Sequence, residues 1–230
     1  MRRQRLGQHF LHSQSVAKKI IDSADITKKD SVLEIGTGKG ILVPLLCEKA
    51  AKVVSIESDD ILYEDAMKIF SEIPNLTLLH GDGFKSDQKF SIFVSNLPYS
   101  TSRDAIEWLI QKNYSHAVIM VQKEFAEKLS KKNTKAVSVL ANYAADIEKI
   151  MDVGKSNFSP PPKVDSAVLK LARKTTVTKE LIQTVNKMFS YKRKKIHNIA
   201  KQFGKVIESD KRLEELKGDE IIKIAKQLLK

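Results

Sequence analysis

Four consecutive residues, Asn96-Leu97-Pro98-Tyr99, combine the groups needed to work on an amine attached to an aromatic ring. Such an amine is a poor nucleophile, because its lone pair is delocalised into the ring. A general base is not the first need, since the neutral amine can attack. What helps is a pair of acceptors that hold both amine protons and turn the lone pair towards an electrophile. The side-chain carbonyl of Asn96 and the backbone carbonyl of Leu97 can do this. Pro98 brings no donor and a fixed φ, which holds the loop in shape. Tyr99 offers an aromatic face on which a base can stack, a contact worth roughly 1–3 kcal/mol. A base must leave its stack to reach such a site, and leaving is easier from a loop than from a duplex. Phe158, in Phe158-Ser159-Pro160-Pro161-Pro162, is the candidate second platform, on a loop that the prolines stiffen as polyproline. Alone, Asn-Leu-Pro-Tyr also suits a turn after a strand, and Phe158 alone reads equally well as a buried anchor.

A second set of residues concerns the electrophile. Gly36-Thr37-Gly38-Lys39-Gly40 lies between an apolar run and a helical one. A glycine loop there lets a ligand approach the backbone closely, beside the free amides of a helix start. A phosphate-binding loop needs a second glycine where Ile41 stands, and a dinucleotide fingerprint fails at the same residue. What remains is Gly-x-Gly-x-Gly, with Glu34 before it and Glu57 at the end of the next strand. An acid at Glu57 can accept from both ribose hydroxyls of an adenosyl group. Asp82, in Gly81-Asp82-Gly83-Phe84, can accept from the adenine amine. With Gly36 and Gly38 as the backbone contacts, this set points to S-adenosylmethionine as a methyl donor. The competing reading is a structural turn and a surface glutamate.

These residues need a frame that gathers them. Apolar runs at Ser31–Ile35, Lys52–Glu57, Leu76–His80, Phe90–Ser95 and His116–Val121 read as strands. Helical spacing covers Ser15–Ala24, Ile41–Ala50, Asp60–Ser71 and Arg103–Gln111. The alternation predicts an α/β fold, a Rossmann-like parallel sheet with helices on both faces and right-handed crossovers. Ligands of such sheets sit at the carboxyl ends of the strands, where all three motifs fall. Further on, Lys123–Leu129 and Val137–Ala145 read as helices, and Ile147–Val153 and Lys163–Ala172 as strands pairing at the sheet edge. The polar stretch Arg173–Lys179 marks a boundary. It divides a methyltransferase domain, residues 1–174, from a small all-helical C-terminal domain, residues 175–230. In the latter, Leu181, Val185, Met188 and Phe189 form one apolar stripe, and Ile221, Ile222, Ile224, Ala225 and Leu228 another.

The net charge is +12 with a pI near 9.6, a self-repelling excess that a polyanionic partner would offset, though a generally lysine-rich composition also produces it. Between Lys179 and Lys205 eight Lys or Arg face a single acid, Glu180. Lys192-Arg193-Lys194-Lys195 within that stretch should open a helix and bind nucleic-acid phosphates, with an affinity that falls as salt rises. Arg2, Arg3 and Arg5 add to the same field. No apolar run approaches the roughly 20 residues of a membrane span. The N-terminus is basic without the apolar centre of a signal peptide. Cys47 is the one cysteine, which excludes an intramolecular disulfide and a cysteine-built zinc site. The expectation is a cytoplasmic protein with no membrane contact and no metal.

The chain resembles the KsgA family of ribosomal RNA adenine dimethyltransferases. The resemblance is carried by Gly7-Gln8-His9-Phe10-Leu11, Glu34 to Gly40, Asn96-Leu97-Pro98-Tyr99-Ser100, Gln122 to Glu127 and Phe158 to Val168. It runs continuously from Arg5 to about Arg173 and more loosely over Phe189–Ala200. It implies that His9, Leu11, Gly36, Glu57, Asp82 and Asn96 bind S-adenosylmethionine, and that Asn96, Tyr99 and Phe158 handle the target adenine. The implied substrate is two adjacent adenosines in a hairpin loop near the 3′ end of small-subunit rRNA, each receiving two methyls. The rRNA would be part of an immature small subunit, whose assembly the family also checks. A monomer is expected. His9 stands where many bacterial members carry Asn, Thr37 stands where proline is frequent, and the C-terminal domain is shorter than usual. The related Erm group, which methylates large-subunit rRNA, shares the fold, but the Phe158-to-Val168 match favours KsgA. DNA adenine and protein glutamine methyltransferases carry proline where Leu97 stands. An assembly or transcription factor that keeps the fold without catalysis is the alternative of another class, against which Asn96, Tyr99, Glu57 and Asp82 stand intact.

Overall fold

The structure, a computed structural model, describes residues 8–130 and 135–229; Arg2, Arg3, Arg5 and Gly7 lie outside the described residues. Near the N-terminus, β1 (Phe10–Leu11) precedes α1 (Gln14–Ser23). The α1 helix opens on Ser13, whose hydroxyl caps the Val16 amide. Then come β2 (Ser31–Ile35), α2 (Val43–Lys49), β3 (Lys52–Glu57), α3 (Asp60–Phe70), β4 (Leu76–His80), β5 (Ile92–Asn96), α4 (Ser102–Leu109) and β6 (His116–Gln122). After α5 (Lys123–Ser130) and α6 (Ala136–Ala144), the strands β7 (Ala145–Val153), β8 (Phe158–Ser159) and β9 (Ser166–Arg173) follow.

The expected parallel sheet is present. Its strand order is β4-β3-β2-β5-β6-β9-β7, with the first five parallel and β9 antiparallel to β6. The chain moves outward from β2 to β4, then returns to place β5 on the other side of β2. The β2/β5 junction is therefore the topological switch point, where strand ends leave a crevice for a ligand. The glycine loop follows β2, and Asn96 is the last residue of β5. Central strands covered on both faces must be apolar throughout, and Ile92, Phe93 and Val94 are all buried. The strand starts two residues later than its apolar run suggested, so that Asn96 belongs to it. A separate two-stranded ribbon pairs β1 with β8, Leu11 opposite Phe158 and Phe10 opposite Ser159. The proline stretch is a loop, and its Ser159–Pro160 peptide is cis.

The residues form two compact units. One holds residues up to 105 with 113–126 and 148–172; the other holds 106–112, 127–147 and the chain from 173 onward. In the second, α6 is apolar almost all round and lies against α7 (Lys179–Ser190) and α9 (Gly218–Leu229). A helix without a polar face needs such cover, which is why this unit contains more of the chain than the C-terminal helices alone. The buried face of α7 is Leu181, Ile182, Thr184, Val185 and Met188, with Ile182 taking the place expected for the half-buried Phe189. In α9 it is Ile221, Ile222, Ala225 and Leu228. Lys192-Arg193-Lys194-Lys195 does not open a helix. It forms the turn after α7, and α8 (Ile196–Lys201) begins only once the basic run has ended. Four adjacent cations repel one another in a helical turn, whereas Ile196, Ile199 and Ala200 gain burial by starting one. No described helix is long and apolar enough to cross a membrane.

Candidate active site

A cavity of about 660 Å³ opens at the carboxyl ends of β2 to β5. All but one of the expected cofactor and base contacts line it. Gly36 has φ +87°, its amide donates to the Ile56 carbonyl at 2.8 Å, and a Cβ built on it would meet nothing within 4 Å. That is open space beside backbone, the arrangement a glycine loop exists to provide. Gly38, at φ +56°, turns its amide onto Glu57 Oε2 at 2.8 Å. Glu57 is buried, and its Oε1 accepts from the Ser58 and Asp59 amides at 2.9 Å each. A carboxylate has about four lone-pair positions. Three are taken, so Glu57 can accept one ribose hydroxyl in this arrangement, not the two that its position in the sequence suggested.

Behind the loop runs a buried polar chain. Thr37 Oγ1 and Ser55 Oγ lie 2.6 Å apart, and Ser55 Oγ lies 2.5 Å from Glu34 Oε2. Glu34 is 1% exposed, and burial pushes its carboxyl up to about 8, so it carries a proton at neutral pH. Thr37 is thus more than a neutral replacement for proline, since its hydroxyl joins the glycine loop to this chain. Asp82 caps a single 3₁₀ turn, Gly83–Lys85, by accepting from the Phe84 amide at 3.0 Å, and is exposed at the cavity.

His9 Nδ1 lies 2.9 Å from the Pro160 carbonyl oxygen. A carbonyl only accepts, so Nδ1 carries a hydrogen and donates it. Leu11 does not line the cavity. It is 3% exposed and packs in the apolar core with Phe158, opposite which its backbone is paired. Its contribution is to hold the wall. Phe158 is likewise 3% exposed, and one side of it bounds the cavity. It is a buried anchor and a wall at once, not a free aromatic on a loop.

Asn96 ends β5 opposite Met120 of β6, and among the described residues no hydrogen bond engages its side-chain amide. The Leu97 amide donates to the Met120 carbonyl at 3.2 Å, while no described donor takes the Leu97 carbonyl. The Pro98 carbonyl, by contrast, is occupied by the Thr101 amide at 3.0 Å and hydroxyl at 2.9 Å. Tyr99 is half-buried beside His9, with ring centroids 5.8 Å apart, and its hydroxyl is 2.7 Å from Ser166 Oγ. Burial pushes the Tyr99 phenol above its ordinary range.

The motifs did not single out Gln8, Ser58, Thr101 or Asp104, which also line the cavity. Asp104 lies in the first turn of α4, directly after the Asn-Leu-Pro-Tyr loop, and that proximity was its one signal. With it, three carboxylates (Glu57, Asp82, Asp104) line the cavity, and among the described residues no Lys or Arg does, in a chain of net charge +12. The cavity therefore suits a cationic ligand. In the second unit Lys192, Arg193, Lys194 and Lys195 are all exposed. Lys194 lies over the Tyr191 ring at 4.9 Å, and Lys195 is paired with Asp210 at 2.9 Å.

The family model "Ribosomal RNA adenine dimethylase" matches residues 1–229. The ribosomal RNA small subunit methyltransferase A of Thermotoga neapolitana is 35% identical, over 95% of this chain and 88% of that relative. The crystal structure of a dimethyladenosine transferase from Plasmodium falciparum superposes with a TM-score of 0.80 at 28% identity, covering 94% of this chain and 96% of that one. The fold is also that of the 23S rRNA methyltransferase ErmE (TM-score 0.71, 22% identity, 96% of this chain and 100% of that one).

Proposed function

The chain belongs to the ribosomal RNA adenine dimethylase family, and on that premise we propose that it dimethylates N6 of two adjacent adenosines in the 3′-terminal hairpin loop of small-subunit rRNA, with S-adenosylmethionine as methyl donor. The observation that carries this reading is the pair of unengaged acceptors, the Asn96 side chain and the Leu97 carbonyl, at the end of β5 on the switch-point cavity.

The residues present fit the donor. The cavity is acidic, open beside Gly36 and Gly81, and within the size range of small-molecule sites. Glu57 Oε2 would take a ribose hydroxyl and Asp82 the adenine amine, with Gly36, Gly38, His9 and Asn96 along the remaining length. Bound there, S-adenosylmethionine supplies an electrophilic methyl on a sulfonium, a charge that three carboxylates favour. The Asn96 and Leu97 carbonyls hold the two protons of the target amine and aim its lone pair. Tyr99 stacks on the flipped base, and Phe158 bounds it on the cavity wall. After attack the nitrogen is cationic and releases its proton readily, so no strong base is required. A monomethylated amine has one proton left, and one of the two acceptors then suffices.

Residues 175–230 act as the rRNA-binding domain in this reading, with Lys192, Arg193, Lys194 and Lys195 on phosphates. RNA of this kind is recognised through shape and unstacked loop bases. The enzyme works as a cytoplasmic monomer on an immature small subunit. The test is to incubate it with labelled S-adenosylmethionine and small subunits from a methylation-deficient strain, then locate the label by nuclease digestion and mass spectrometry. Dimethyladenosine at the paired loop adenosines is the expected result. Label confined to large-subunit RNA assayed in parallel would move the protein to the Erm side of the family, and cofactor binding without transfer to either would favour a non-catalytic assembly factor.

A further inference from the structure

Ser166 takes no part in the chemistry outlined above, yet it lies 2.7 Å from the hydroxyl of Tyr99. It is the first residue of β9, 0% exposed, and held opposite Gln122 of β6 in the antiparallel ladder. The loop before it is fixed too: the Asp165 carbonyl accepts from the Lys123 amide at 3.0 Å, and Asp165 Oδ1 accepts from the Lys155 amide at 3.0 Å. The Ser166 hydroxyl is therefore a fixed point.

Tyr99 is held at its other end as well. It begins a 3₁₀ turn, Tyr99–Thr101, and its carbonyl accepts from the Ser102 hydroxyl at 3.1 Å. Its ring lies beside that of His9, with 33° between the two planes, and His9 is itself tied to the Pro160 carbonyl. A tyrosine on a loop has two free torsions, and a ring free to turn about them offers its face in many orientations. With backbone and phenol oxygen both tied, the long axis of the ring is set before any base arrives, and the neighbouring His9 ring limits rotation about that axis. Positioning of this kind lowers the ordering cost of binding and keeps the reacting atoms in line.

We propose that Ser166 is a positioning residue for methyl transfer, fixing through its hydroxyl the long axis of the Tyr99 ring and so the place at which the target adenine stacks. The proposal rests on the assignment of Tyr99 as the stacking platform. It makes the phenol oxygen matter, although stacking itself uses only the ring face.

The experiment is a double-mutant cycle with Ser166→Ala and Tyr99→Phe, each assayed for cofactor affinity, thermal stability and kcat/KM on undermethylated small subunits. The same proteins are titrated into a loop RNA with 2-aminopurine at the target position, whose fluorescence reports stacking without any turnover. Ser166→Ala and Tyr99→Phe should each lower kcat/KM about tenfold, the effect of removing one hydrogen bond. The double variant should be no worse than either, 2-aminopurine stacking should weaken equally in all three, and S-adenosylmethionine affinity should be unchanged. Ser166→Thr, which keeps the hydroxyl, should restore the wild-type values. Wild-type stacking and turnover in Ser166→Ala would overturn the proposal, as would effects that multiply in the double variant or a matching loss of cofactor affinity. Wild-type protein that stacks 2-aminopurine but methylates neither subunit would instead count against the assigned activity, leaving the cycle in stacking to decide the role of Ser166.

Discussion

Asn96 and Glu34 make different demands on the chemistry of single residues. Asn96→Ala removes one of two acceptors for the amine protons and leaves the cofactor's other contacts in place. Transfer should become undetectable while S-adenosylmethionine affinity, measured by calorimetry, falls by less than tenfold. Near-normal turnover would remove Asn96 from the mechanism. Glu34 makes a pH prediction. Its carboxyl sits at about 8 in the fold and near 4.5 in an unfolded chain. Between those values the native state holds a proton that the unfolded state has lost, so stability falls as pH rises, by up to about 1.4 kcal/mol per pH unit. The carboxylates held low, Asp22, Asp25, Asp30, Asp152, Glu180 and Asp210, titrate in acid and do not contribute to that window. The melting temperature should therefore drop between pH 5 and pH 8 in wild type and stay nearly level in Glu34→Gln. A wild-type profile as flat as that of the variant would mean that Glu34 is not protonated in the fold. Asn96 was legible in the sequence because its chemistry lies in its side chain and its position after a strand. The Glu34–Ser55–Thr37 chain was not, because no spacing rule links hydroxyls on separate strands that meet only when β2 and β3 pair.

At the scale of elements, the ribbon of β1 and β8 decides how Phe158 is understood. Its position in a proline loop left a stacking platform and a buried anchor equally open, and its pairing with Leu11 buries it in the core. Phe158→Ala should thus cost about 3–5 kcal/mol of stability, as emptying a buried aromatic site usually does, besides lowering turnover on RNA. Thermal melting separates this from an exposed aromatic, whose loss would leave the midpoint within a degree or two. The strands and helices of the sheet were readable because apolar runs and amphipathic segments alternate at distinct periods. The two-residue strands were not, because two residues carry no period and their partner lies more than a hundred positions away. The family resemblance implied Leu11 at the cofactor, while the fold gives that stretch of chain its place on the cavity through His9 and Phe10.

Over the whole molecule, the charge is divided by purpose: an acidic cavity in one unit, and an exposed basic turn in the other. Replacing Lys192, Arg193 and Lys194 together by Gln should weaken RNA binding and flatten its dependence on salt by roughly 0.7 for each phosphate left unneutralised, as judged by log–log plots of affinity against salt. Cofactor affinity should not change. A salt slope equal to wild type would mean that these cations face solvent and not RNA. Lys195 is kept so that Asp210, its ion-pair partner, is not left unpaired in the variant. The net charge foretold a polyanionic partner, but composition gives only a sum. It could not show that the site itself is lined with Glu57, Asp82 and Asp104, since the three come from the end of β3, the turn after β4 and the start of α4.

The β1–β8 ribbon also sets a schedule for synthesis. Contacts such as His9 to Pro160 and Leu11 to Phe158 join residues about 150 positions apart, and such long-range contacts form late. A nascent chain can pair β2 to β6 as they emerge, but one wall of the cofactor cavity is missing until Phe158 has left the ribosome. Competence to bind the methyl donor should accordingly arrive abruptly and late in translation, so that incomplete chains do not sequester it.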